Sequence, residues 1–245
     1  MTIPPDWIIP NWPAPRGVRA LITTRSGGVS SGPYASCNLG LRTRDAPAAV
    51  AENRRRLRAL LPQEPKWLTQ VHGTRVVNAD GLTGMPQADA SFAYQPGTVC
   101  AVLTADCMPL LLCDRDGSAV AIAHAGWRGL CGGVIEETIS HTGIAADRLL
   151  AYMGPAIGPA AFEVGDDVRD AFVARDAAAT AAFAPHRPGK WLADLYQLAR
   201  QRLHRSGVTQ IHGGGLCTYS DTTRFFSYRR ERDSGRMASV IWREP

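Results

Sequence analysis

The chain is short of several things, and each shortage excludes something. Of its 27 lysines and arginines only Lys66 and Lys190 are lysine. The remaining cations are arginines scattered among 22 acidic residues, and the longest run is Arg54-Arg55-Arg56. That run falls in a predicted helix and reads as a solvated face, so the net charge of +5 gives no basic surface for nucleic acid. There is no C-x-x-C pair among the six cysteines and no dense secreted framework. No apolar run approaches the roughly 18 residues of a membrane span. The first residues lack the basic start and apolar core of a secretory leader. A cytoplasmic protein with reduced thiols is expected. Six histidines are too few for a trinuclear copper cluster with its companion site, so any metal centre must be small.

What remains is globular: 245 residues, 45% hydrophobic and 20% charged, enough for a sizeable core. Residues 1–17, rich in Pro and Trp, form an extended arm. Strands are predicted over 18–24, 98–103, 109–113, 118–123, 149–153, 209–212 and 236–242, with Asp114-Arg115-Asp116-Gly117 as a hairpin turn. Helices are predicted from an Asp45 cap to about Leu61, over 129–142, near 166–175, and over 194–206. Hairpins mix with isolated helices and no βαβ alternation appears. The expected class is α+β, one domain over 1–245.

Three segments place metal-ligating side chains at the ends of apolar runs: Gln70-Val71-His72-Gly73, Thr104-Ala105-Asp106-Cys107, and Ala123-His124-Ala125-Gly126. His72, Cys107 and His124 make a Cys-His₂ set, the pattern of a zinc site with one open position for a polarised water. The spacing alone leaves three readings open. They are this metal site, a buried structural Cys with two hydrogen-bonded His, and a Cys107 nucleophile with His124 as base. Asp106, next to Cys107, is the candidate carboxylate for proton transfer.

Further candidates surround these segments. Gly126-Trp127-Arg128-Gly129 precedes a helix and offers Arg128 to an anion. Arg25, at a strand end, is the other phosphate candidate. Asn38 reads either as a ribose or base contact or as an Asx-turn. Phe225-Phe226-Ser227-Tyr228-Arg229-Arg230 brings rings that stack on a flat base, Phe226 or Tyr228, beside the guanidinium of Arg229. Gly154-Pro155-Ala156-Ile157-Gly158 reads as a rigid loop, able to shape a pocket wall.

In this order the segments resemble the YfiH-like laccase-domain family, described both as multicopper polyphenol oxidases and as purine nucleoside phosphorylases. The resemblance rests on Thr23-Thr24-Arg25-Ser26-Gly27-Gly28, Ser36-Cys37-Asn38-Leu39-Gly40, Trp67-Leu68-Thr69-Gln70-Val71-His72-Gly73, Thr104-Ala105-Asp106-Cys107-Met108-Pro109 and His124-Ala125-Gly126-Trp127-Arg128-Gly129. Gly154-Pro155-Ala156-Ile157-Gly158-Pro159 and Phe225-Phe226-Ser227-Tyr228-Arg229-Arg230 complete it. It implies layered mixed sheets flanked by helices, a fold compared with cysteine-hydrolase-like toxins. It implies metal at His72, Cys107 and His124, zinc with copper as the alternative.

The implied activities are phosphorolysis of adenosine, inosine and methylthioadenosine, and deamination of adenosine. The implied partners are purine nucleosides and phosphate, with neither nucleic acid nor membrane, in a monomer or homodimer. The alternatives are a copper-dependent polyphenol oxidase, a metal-free Cys-His hydrolase, and a non-catalytic binding module. One departure stands out: where such relatives carry Gly-Asp-Asp before the first helix, this chain has Arg42-Thr43-Arg44-Asp45.

Overall fold

The computed structural model describes residues 2–245. Its centre is where the apolar runs lie. The strands β1 (Val18–Ile22), β2 (Val76–Asn78), β3 (Ala90–Ala93), β4 (Cys100–Thr104), β5 (Met108–Asp114), β6 (Val120–Ala125) and β7 (Leu149–Met153) are followed by β8 (Glu163–Gly165), β9 (Phe183–Arg187), β10 (Lys190–Ala193), β11 (Gln210–Gly213) and β12 (Met237–Arg243). The helices are α1 (Pro47–Arg58), α2 (Trp127–Gly132), α3 (Val134–His141), α4 (Asp166–Arg175), α5 (Leu195–Arg205) and α6 (Tyr228–Glu231).

A six-stranded mixed sheet, β11-β7-β5-β6-β3-β2, forms the middle layer. β5 and β6 are buried along their whole length, because both faces of the sheet are covered. Alternation assigns the faces. Leu110 and Leu112 pack with Ile135, Ile139, Leu198 and Leu203 of the helices. Leu111 and Ile122 pack with Val18, Ile22, Val102 and Ile241 of the second sheet, β1-β12-β4. The outer face of that sheet, through Leu21, Ala101 and Val240, holds Leu57 of α1. Each such fully buried aliphatic side chain contributes about 1.5–3 kcal/mol. A three-stranded antiparallel sheet, β8-β10-β9, with the last-made strand in the middle, completes the strands. The expected α+β class with layered mixed sheets and flanking helices is what the chain adopts.

Three local expectations are corrected. Asp45 does not cap α1: Ala46 holds that position without a side-chain bond. The Asp45 carboxylate instead accepts from Ser30 Oγ at 2.6 Å and Asn38 Nδ2 at 3.0 Å. The helix expected over 129–142 is two helices. Gly133 takes φ 111° between α2 and α3, a left-handed geometry that only glycine enters cheaply. Finally, α1 stops at Arg58, and Leu61 is buried in the turn beyond it.

Candidate metal centre and cavity

His72, Cys107 and His124 come together at the ends of strands. His124 lies on β6, one residue before that strand ends. Cys107 directly precedes β5, after a turn in which Asp106 takes φ 85°. His72 sits in a loop at φ 62°, held by Gln70, whose amide donates to Leu103 C=O and accepts from Leu103 N–H, both at 2.8 Å. One donor atom from each of the three lies within 4.8 Å of the others. Two glycines permit the approach. A Cβ on Gly126 would meet Cys107 Sγ at 2.8 Å, and one on Gly129 would meet Gly73 C=O at 2.8 Å. The glycines before and in α2 therefore serve close packing around the donors.

Asp89 was not foreseen from the sequence. Its fully buried carboxylate accepts from His124 Nδ1 at 2.8 Å and from the backbone N–H groups of His72 (2.9 Å), Gly73 (2.7 Å) and Val71 (3.2 Å). Burial opposes its charge, but His124 and these donors prevail and hold its pKa below the usual carboxylate value. Bonding at Nδ1 leaves His124 Nε2 for the donor group, the arrangement by which a carboxylate orients a metal-binding histidine. Burial likewise opposes a Cys107 thiolate, yet the charge and hydrogen bonds of His124 and His72 bring that thiol down to about 6. Burial disfavours charge on His124 too, while Cys107 and Asp89 together raise it to about 9. A thiolate and two imidazoles at this separation fit a borderline-soft divalent metal, so the group could bind one. All six cysteines are free thiols.

The donors open onto a cavity of about 760 Å³. Several of the expected residues line it: Asp106, Arg128, Tyr228 and Arg229, with Ile157 of the glycine-proline loop in the wall. The Asp106 carboxylate accepts from Thr218 Oγ at 2.6 Å and from Arg229 N–H at 2.6 Å. The Arg128 guanidinium lies over Trp127, 4.5 Å from the ring centre.

Three candidates are not in the cavity wall. Arg25 is spent on structure: it donates to Ala35 C=O (3.0 Å) and Thr222 C=O (2.9 Å) and pairs with Glu231. Asn38 is fully buried and turns the chain, its Oδ1 accepting from Gly40 N–H and Arg236 N–H, both at 2.9 Å. It is the Asx-turn, not a ribose contact. Phe226 is fully buried beneath Arg25, so it offers no face to a base. The structure instead brings Arg42, Arg54 and Arg236 to the cavity. Burial lowers the Arg54 pKa to about 10 and lowers that of Arg236 as well.

An α+β fold that presents a His-Cys-His group to a ligand-sized, arginine-lined cavity defines the class of protein. The chain belongs to the family described as multi-copper polyphenol oxidoreductase laccase, which it matches over residues 19–244. It is 58% identical over 241 residues to the purine nucleoside phosphorylase YfiH of Escherichia coli K12, covering 96% of this chain and 98% of that one. It is 57% identical over 237 residues to a purine nucleoside phosphorylase of Pseudomonas aeruginosa, with the same coverage. Among solved structures, a Neisseria meningitidis protein superposes with a TM-score of 0.95 at 50% identity, over 98% of this chain and 100% of that one. The YlmD protein of Geobacillus stearothermophilus superposes with a TM-score of 0.85 at 31% identity, over 94% and 93%.

Proposed function

We propose that the chain is a metal-dependent purine nucleoside phosphorylase. It splits adenosine, inosine and methylthioadenosine with phosphate, giving the free base and ribose or methylthioribose 1-phosphate, and it deaminates adenosine. The observation that carries this reading is one cavity that joins the His72, Cys107 and His124 donors to aromatic and guanidinium side chains. The names of relatives 57–58% identical to it support the same reading.

His72, Cys107 and His124 would hold the metal, zinc first and copper second. When bound, it would supply a Lewis acid facing the cavity. The chain's own residues do the rest. Asp89 keeps His124 turned toward the donors. Tyr228, exposed beside the cavity, stacks on the purine. Arg128 and Arg229 place positive charge beside the nucleoside, where electron density builds on the departing base. Asp106, held in the cavity wall by Thr218 and the Arg229 N–H, would take a proton in the deamination through a lone pair those two bonds leave over.

Incubating metal-defined protein with adenosine, with and without phosphate, and separating adenine, inosine and hypoxanthine tests the reading. Adenine forming only with phosphate is expected; no product in either arm overturns it. Cys107→Ala is expected to lose metal and activity together, and full activity in that variant would sink the metal assignment.

A second reading draws on the same contacts. A Cys107 thiol lowered to about 6, beside a His124 held by Asp89, is also a nucleophile, base and orienter. A hydrolase of that kind keeps its activity in chelator and loses it to thiol alkylation, the opposite of the metal enzyme.

A further inference from the structure

The five arginines that face the cavity are Arg42, Arg54, Arg128, Arg229 and Arg236. None of them has an ion pair among the described residues. Elsewhere Arg25, Arg148, Arg187 and Arg202 pair with Glu231, Asp114, Glu163 and Glu136. The carboxylate in the cavity wall, Asp106, is already taken by Thr218 and the Arg229 backbone. Asp106 and Cys107 act on Arg236 and Glu64 on Arg54, but none of them forms an ion pair with these guanidinium groups, which stay free to pair with a ligand.

Two of these arginines are mounted together on one residue. The backbone N–H of Leu39 donates to Arg236 C=O at 3.0 Å, and its C=O accepts from Arg54 Nε at 2.9 Å. Arg54 is laid on Trp67, 4.2 Å from the ring centre, and its Nη2 is buried without an acceptor. Arg236 is fixed by its Nη1, which donates to Ser234 C=O (2.7 Å) and Gly235 C=O (3.0 Å). Its Nε and Nη2 meet no protein acceptor among the described residues. Gly40 makes room, since a Cβ there would stand 2.8 Å from Arg236 Cγ. Guanidinium groups held this rigidly and left unpaired are built for an oxyanion. Arg128, exposed on its tryptophan, has no such mounting.

We propose that Arg54 and Arg236, hung on Leu39, form the phosphate subsite, with Arg42 of the adjoining loop at its edge. The proposal rests on the phosphorolysis reading above. A hydrogen phosphate dianion held there attacks the anomeric carbon through one oxygen. The bond from that carbon to the purine nitrogen breaks, and its electron pair leaves with the base. The phosphate's proton ends on the purine, so nucleoside and phosphate become sugar 1-phosphate and free base with nothing left over. The same guanidinium groups then hold the phosphoryl group of the product.

The test is steady-state phosphorolysis by the metal-loaded protein, with adenosine and inorganic phosphate varied separately. Arg236→Gln and Arg54→Gln are each expected to raise the KM for phosphate about 10- to 100-fold, with the KM for adenosine changed about twofold at most. Arg128→Gln is expected to move the nucleoside KM and not the phosphate KM. Unchanged phosphate KM in both subsite variants, or a rise confined to Arg128→Gln, overturns the proposal. Arg236→Lys keeps the charge but not the fork, and a partial effect is expected if the folded Gln variant proves scarce.

Calorimetric titration of inorganic phosphate into the wild type and both Gln variants separates the two levels of the argument. If the wild type lacks phosphorolysis yet binds phosphate, and the variants bind it more weakly, the subsite stands and the activity reading falls. If the wild type binds no phosphate, the subsite falls.

Discussion

The two walls of the cavity are made differently. On one wall, His72, Cys107 and His124 stand at the ends of strands or in a loop tied to one, and Asp89 behind them accepts four hydrogen bonds. On the other, Arg42 comes from a loop, Arg54 from within α1 and Arg236 from the residue before β12, and none of them is in an ion pair among the described residues. A donor group must hold a shape, so its carboxylate is fully satisfied. A wall that receives an anion must keep charge in reserve, so its cations are left unpaired. The two buried acids beside the cavity differ in what they hold. Asp89 braces a donor, whereas Asp106 ties Thr218 and Arg229 to the turn before Cys107.

The contrast can be broken most directly at Asp89. Asp89→Asn keeps the volume but removes the charge and leaves one oxygen in place of two, so that two of the four donors lose their acceptor. Metal affinity and nucleoside cleavage are each expected to fall about 10- to 100-fold, read by competitive metal titration and product assay. Retention of both would mean that the donor wall holds its shape without its brace. Gly126→Ala comes next, because its methyl group must displace Cys107 Sγ. A loss of about 1–3 kcal/mol in denaturant unfolding is expected, with weaker metal binding.

Asp114, away from both walls, gives the comparison a control. Burial opposes its charge, but Ser118 and Arg148 hold its pKa below the usual value. A depressed folded pKa stabilises the protein above the unfolded pKa of about 3.9, and that stability is lost as pH falls through the lower folded value. Asp114→Asn is expected to be less stable than wild type at pH 7. The gap should narrow as the pH is taken below about 3.9, while metal affinity stays unchanged. A constant gap across pH would show that the carboxylate's charge is not what matters. The smallest effect is expected at Tyr228. Tyr228→Ala should raise the nucleoside KM about three- to tenfold and leave metal content alone. No change would move the base elsewhere in the cavity.

The grouping of His72, Cys107 and His124 was legible because each sits at the end of an apolar run, a pattern that survives in one dimension. Asp89 left no such mark. It lies in Ala88-Asp89-Ala90-Ser91, and its role depends on a loop 16 to 18 residues upstream and a histidine 35 residues downstream. The guanidinium wall was hidden for a related reason: Arg54 read as one member of a solvated run, and only the packing of α1 turns it inward. Asn38, Phe226 and Arg25 failed in the other direction. Their types suit a ligand, but burial gave them structural work. Among the elements, the β5–β6 hairpin, β7 and α4 were readable from apolar runs and turn residues. The sheet β8-β10-β9 was not, since its strands are short and only partly buried.

The middle position of β12 bears on the order in which the molecule is assembled. This last strand is inserted between β1 and β4, pairing with β1 over residues 239–243 and with β4 over residues 237–241. The candidate donors His72, Cys107 and His124 are all translated by residue 124, while about half of the chain has yet to emerge. β1 and β4 are also made early, but the place between them stays an unclosed gap until the last residues are made. Arg236, at the threshold of β12, comes into place only as that gap is filled. The turn before Cys107 is itself held by Thr218 and Arg229, so both walls of the cavity are completed by the final segment of the chain.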